Sequence, residues 1–119
     1  MPVRSLSSSV LKWPDPDEVR SSAKAWAQGR LAADRGVRSI GYFGSYARGD
    51  AGVGSDLDII VVVERASEPS SHRGLAFDTS SLPVPVDLIV YTEEELRSLL
   101  ASGGRFAREL RERTVWFSR

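Results

Sequence analysis

The sequence predicts a small α/β domain of the α+β type: a mixed sheet of about four strands, with helices packed mainly against one of its faces. Three observations carry that expectation. Val37 to Phe43, Leu57 to Val63 and Val84 to Tyr91 are apolar runs of strand length. Asp15-Pro16-Asp17-Glu18 and Thr92-Glu93-Glu94-Glu95 each carry the chemistry of a helix start. Glycine-rich breaks separate these segments, giving the order helix, strand, loop, strand, short helix, strand, helix, helix, strand.

Taken in order, Met1 to Trp13 is serine-rich and weakly patterned, and is read as a mobile arm that could dock through Val10, Leu11 and Trp13. Asp15 is the expected N-cap of the first helix, with Pro16 at its first position. Val19, Ala23, Trp26, Ala27 and Leu31 then recur at helical spacing, which makes Trp26 a core anchor, and Gly36 is the expected stop. The first strand follows, and Ser45 to Arg48 is expected to open a short helical turn. Leu57 to Val63 is apolar on successive residues, as in a strand covered on both faces. Pro69 is placed to start a short helix through His72, Leu75, Ala76 and Phe77. In the third strand Pro83 and Pro85 cannot donate to a ladder, so pairing is expected from Val86. Leu96, Leu99 and Leu100 form the inward stripe of the next helix. Ser102-Gly103-Gly104 breaks it, and Arg105 to Arg113 is a last helix with Phe106 and Leu110 inward. Thr114 to Phe117 closes as a short strand.

Composition narrows the function classes. At 119 residues the chain is expected to be one domain, 1–119. Basic and acidic residues number 16 each, and the resulting zero net charge argues against a broad footprint for nucleic acid. With no cysteine there is no disulfide, no thiolate zinc site and no cysteine nucleophile, as fits a cytoplasmic protein. The single histidine, His72, lies in a polar segment and reads as solvated. No apolar run reaches the roughly 18 residues of a membrane span, and no hydrophobic segment follows Arg4 as a secretory signal requires.

The chemistry concentrates in Gly44 to Asp58, G-S-Y-A-R-G-D-A-G-V-G-S-D-L-D. Residues i and i+2 of a strand point to one side, so Asp56 and Asp58 are aimed together, about 7 Å apart at Cα for a rise of ~3.3 Å per residue. Two such carboxylates raise each other's pKa, and a divalent cation removes that cost. Hard oxygen donors suit Mg²⁺ or Mn²⁺, and Mg²⁺ commonly combines one or two carboxylates with substrate phosphates. Gly44 lets backbone approach a phosphate, and the Ser45 hydroxyl with nearby amides can donate to its oxygens. Asp87 interrupts the apolar run Val86 to Val90, and a carboxylate inside a strand core is costly unless paired or metal-bound. Ser55 is placed to cap or orient Asp56. Arg48 is either a solvated loop charge or a contact to triphosphate or acceptor. There is no G-K-[S/T] P-loop and no G-x-S-x-G elbow.

The spacing Gly44-Ser45, ten residues, Asp56-x-Asp58, with Ala47, Gly49 and Ser55 in place, resembles the signature of the nucleotidyltransferase superfamily that includes DNA polymerase beta. G-S-Y-A-R-G followed by S-D-L-D-I most resembles its small prokaryotic branch, the minimal nucleotidyltransferases (MNT), often antitoxin partners of HEPN-domain toxins. The resemblance implies a nucleotidyltransferase core and transfer of AMP from ATP. It implies Asp56, Asp58 and Asp87 as holders of two Mg²⁺ ions, and Gly44 and Ser45 at the β- and γ-phosphates. It also implies a tyrosine hydroxyl of a HEPN toxin as acceptor. A homo-oligomer that completes the substrate site is a further expectation. Two other classes stay open: a binding module that inhibits its partner by contact alone, and an enzyme that adds nucleotides to RNA ends. The C-terminal arginines Arg105, Arg108, Arg111 and Arg113, interleaved with Glu109 and Glu112, read as a solvated helix face.

Overall fold

Asp15 stops the extended approach to the first helix and caps it. Its side chain accepts the Glu18 amide at 2.9 Å, and Pro16 occupies the first helical position, where a missing amide costs nothing. In this computed structural model, which describes residues 13–119, helix α1 spans Pro16–Ala33. Its stripe Val19, Ala23, Trp26, Ala27 and Leu31 is buried against the sheet, and the Trp26 indole donates to the Asp78 carbonyl at 2.9 Å. The helix ends differently from expectation. Extended Asp34 is the C-cap, and Gly36 lies in the following turn, where its amide donates to the Asp34 carboxylate. Of the expected arm, Val10 and Leu11 lie outside the described residues, while Trp13 packs on the core beside α1.

Four strands form one mixed sheet in the order β3-β2-β1-β4. β1 (Val37–Phe43) runs antiparallel to both β2 (Leu57–Val63) and β4 (Val115–Ser118), and β2 runs parallel to β3 (Val86–Thr92). Pairing on β3 begins at Val86, opposite Leu57, as the two prolines require. Between β2 and β3 the expected helix after Pro69 is only Ser70–Arg73 (α3), followed by a 3₁₀ turn at Gly74–Ala76, and Phe77 is already extended. Leu75, expected on its stripe, is exposed.

The helices are divided between the two sheet faces rather than gathered mainly on one. Ile40, Tyr42, Ile59, Val61 and Val90 pack on the α1 side. Ile60 and Val62, which alternation turns the other way, join Ile89 and Tyr91 under α4 (Glu93–Ser102) and α5 (Arg105–Arg113). The unbroken apolar run of β2 serves both cores. Helix α4 begins in the expected capping box, with the Thr92 hydroxyl on the Glu95 amide and the Glu95 carboxylate on the Thr92 amide. It ends at Gly103, whose φ of 73° is left-handed. A second clamp ties the β2–β3 connection to this cap: Arg73, buried, grips Glu95 through both of its terminal nitrogens and reaches the Glu68 and Val90 carbonyls. Phe106 meets Phe43 edge to face, with ring centroids 5.5 Å apart, and so seats α5 over the end of β1. Among the described residues no helix is long and apolar enough to cross a membrane.

Candidate active site

The site lies where β1 ends and where β2 and β3 begin. β1 hands over at Gly44 to the four-residue turn α2 (Ser45–Arg48), whose internal bonds start with the Ala47 and Arg48 amides on the Gly44 carbonyl. The Ser45 and Tyr46 amides precede that first bond, as at any helix start. Tyr46 is buried and fixes the turn from below, its hydroxyl donating to the Ser55 carbonyl and its own carbonyl accepting from Arg20. The return loop is closed by Gly52, whose amide donates to the Ser55 hydroxyl oxygen at 3.0 Å. Ser55 is thus a loop-closing residue, and its oxygen is directed at Gly52.

Asp58 and Asp87 are register partners across the parallel β2–β3 pair, on strands about 4.8 Å apart. Asp58 and Asp87 project to the face covered by α4 and α5, and Asp56, in the loop just before β2, is near enough for its charge to act on Asp58. The three acids are therefore brought to one corner of the sheet. Asp87 sits differently from expectation. β3 starts at Val86, so Asp87 is the second residue of the strand and exposed at its leading end, not enclosed in the core. Asp56 is exposed as well, and Asp58 is half-buried. Among the described residues no three acidic or histidine side chains already stand gathered for an ion. Like-charge repulsion accounts for this, since two of the carboxylates have solvent to turn into.

The electrostatics mark Asp58 as the centre. Burial pushes its carboxyl above the usual range, and the neighbouring charges of Asp87, Asp56 and Glu109 push it further, with Arg48 opposing. Gly44 is matched to it. Its φ of 74° is left-handed, and a Cβ there would collide with the Asp58 carboxylate. Arg48, at the end of α2, is held by Glu109 of α5 at 3.0 Å and by Asp50 at 3.3 Å. Glu109 is the member of this site that the sequence did not single out. It lies 61 positions from Arg48 and reads as part of an alternating charged helix face. The hard oxygen donors of Asp56, Asp58 and Asp87, with a net negative field at Asp58 that Arg48 only partly offsets, fit a magnesium-type cation.

The chain matches the nucleotidyltransferase domain family over residues 26–117, a span that contains Gly44 to Asp58 and Asp87. A protein from Sulfolobus solfataricus, provisionally assigned as a nucleotidyltransferase and solved at 1.40 Å, has a similar structure, with a TM-score of 0.59. The identity is 22%, over 92% of this chain and 93% of that one, and the likeness is one of fold. No curated protein matches the chain. The family match spans well over half of the sequence and encloses the acid corner and the glycine turn, and the chain belongs to the nucleotidyltransferase domain family.

Proposed function

We propose that the protein transfers AMP from ATP to an acceptor hydroxyl, with Mg²⁺ or Mn²⁺ held by Asp56, Asp58 and Asp87. The observation that carries this reading is the Asp58–Asp87 register pair with Asp56 two residues upstream, beside a turn whose glycine lies flush against Asp58. Bound ions would neutralise the triphosphate and make the acceptor hydroxyl more acidic.

The chain's own groups would bind and orient. Gly44 and Ser45 hold the β- and γ-phosphates on the exposed side of α2. Asp87 accepts the proton of the acceptor hydroxyl. As the acceptor oxygen bonds to the α-phosphorus, the bond from that phosphorus to the α–β bridging oxygen breaks, and its electron pair leaves with pyrophosphate. Positioning and charge neutralisation would do most of the work, as in other phosphoryl transfers.

The acceptor in this reading is a tyrosine hydroxyl of a HEPN-domain toxin, whose RNase activity the modification silences. What supports it is the resemblance of G-S-Y-A-R-G and S-D-L-D-I to the MNT branch. The test incubates the protein with Mg²⁺ and α-³²P-ATP, with and without a HEPN protein encoded beside it, and with Asp58→Asn as control. Label on the HEPN protein that vanishes with Asp58→Asn is the expected result. Silencing that survives in Asp58→Asn without label would replace this reading with inhibition by contact. Label on RNA ends instead would make the protein an RNA-end transferase.

A further inference from the structure

We infer that the groove between Arg48 and α5 is a polyphosphate site, which takes the terminal phosphates of the nucleotide and holds the departing pyrophosphate. The inference rests on the transfer reading above and adds three arginines of α5 to it.

The groove has a volume of about 360 Å³ and is lined by Arg48, Arg105, Arg108, Glu109, Glu112 and Arg113. Four guanidiniums face two carboxylates. Among the described residues Arg105, Arg108 and Arg113 make no ion pair, although Glu109 and Glu112 stand four residues from them on the same helix. The favoured pair in such a helix has the glutamate first, here Glu109 with Arg113, and it is unmade because Glu109 is spent on Arg48. Arg105 and Arg108 also stand in the first turns of α5, where the helix field disfavours cations, and that first turn has no acid. Three exposed cations kept without local partners, against the local preference, are a feature that an anionic ligand would explain.

Position selects the ligand. Across the sheet the order is β3, β2, β1, so Asp87 lies on one side of Asp58 and the Gly44 turn on the other. α5 packs over β1, on the Gly44 side. A triphosphate whose α-phosphorus sits at the acids and whose tail crosses Gly44 and Ser45 runs toward Arg48 and the groove, away from the acceptor side at Asp87. Glu109 then plays a resident anion, holding Arg48 in place until phosphate oxygens take its guanidinium. Forked guanidiniums suit such oxygens. A nucleic acid fits less well, because Glu109 and Glu112 would face its backbone and, among the described residues, no aromatic side chain lines the groove to stack a base.

The test titrates the full chain with inorganic tripolyphosphate by calorimetry, using wild type, the triple variant Arg105→Gln/Arg108→Gln/Arg113→Gln, Glu109→Gln, and Arg35→Gln at the opposite end of β1 as control. The triple variant should bind about tenfold more weakly or worse, with the KM for ATP raised by a similar factor. Glu109→Gln, which frees Arg48, should bind up to about fivefold more tightly, a gain that misfolding cannot imitate. Unchanged binding in the triple variant, or an equal loss in Arg35→Gln, would overturn the site. So would single-stranded RNA that binds more tightly than tripolyphosphate and loses its affinity in the triple variant. Tripolyphosphate binding needs no transfer. A lost affinity without any transfer activity leaves the groove standing and removes the transfer reading, and normal binding with intact transfer does the reverse.

Discussion

The carboxylate of Asp58 lies against the α-carbon of Gly44: a Cβ built on that glycine would collide with Asp58 Oδ2 and stand 3.1 Å from its Cγ. The turn after β1 and the start of β2 therefore share one volume, which only hydrogen can occupy on the Gly44 side.

Gly44→Ala should thus incur two costs, a backbone at φ 74° and ψ −149° that essentially only glycine adopts, at about 1–3 kcal/mol, and a clash that turns Asp58 away. Gly103 has nearly the same φ, 73°, but its ψ of 12° is the ordinary left-handed region, with open space around it, and Gly103→Ala should incur only a backbone cost of about 1–2 kcal/mol. Urea unfolding should show Gly44→Ala the more damaging by about twofold, with transfer lost. In an Asp58→Ala background the clash part of its cost should vanish and only the backbone part remain. Equal costs in the wild-type background would sink the idea.

Asp58→Asn should separate stability from activity. The folded protein raises the carboxyl's pKa, so the native state holds its proton more tightly than the unfolded chain. Stability from this group is then greatest at low pH and falls as pH rises through the unfolded and then the folded value. At neutral pH without metal, Asp58→Asn should melt higher than wild type, while transfer falls by about 10²–10⁴-fold. Mg²⁺ should raise the melting point of wild type and leave the variant unmoved. A variant that melts lower without metal would contradict the like-charge account.

The Arg73–Glu95 clamp carries the opposite sign. Two hydrogen bonds from Arg73, then the Thr92 amide, hold the Glu95 carboxyl down from 4.5 to about 2. Its stabilisation is present above the unfolded value near 4.5 and lost as pH falls toward about 2. Glu95 is part-exposed, so solvent screening limits the effect, and Glu95→Gln should cost about 1 kcal/mol at pH 7. The gap between wild type and variant should close between pH 4.5 and pH 2, measured by denaturant unfolding. A gap of constant size would argue against the charge pairing.

Trp26→Phe should cost about 1–2 kcal/mol, since it leaves the Asp78 carbonyl without the indole donor and opens space beside α1. The loss should be felt in the β2–β3 connection more than in the acid corner. Limited proteolysis should speed up around residues 77–82 before transfer activity falls, and the reverse order would refute the assignment.

What the sequence made legible was whatever depends on neighbours along the chain. Asp56 and Asp58 were legible as a pair by spacing, although β2 begins only at Leu57 and Asp56 lies in the loop before it. The capping residues Asp15 and Thr92 act within one turn, and both are in place. Asp87 was visible as a polar break in an apolar run. Its exposure was not, because that depends on how far β2 extends beside it. The two-sided helix arrangement was written only in β2, whose consecutive apolar residues need cover on both faces. Gly36 looked like a helix stop, yet Asp34 supplied one by leaving helical conformation and taking the Gly36 amide with its own side chain. The Glu109–Arg48 pair was illegible, since it exists only once Phe106 has seated α5 over β1.

The central place of β2 has a kinetic consequence. Ile59, Ile60 and Val61 are at most 1% exposed, and their strand is hydrogen-bonded on both edges. Their amides should be among the last in the chain to exchange with deuterated water, released only by global opening. Asp58 is carried on that same slow-exchanging element, so partial fraying at β4 or in the β2–β3 connection leaves it in place. Activity and cooperative unfolding should then disappear together.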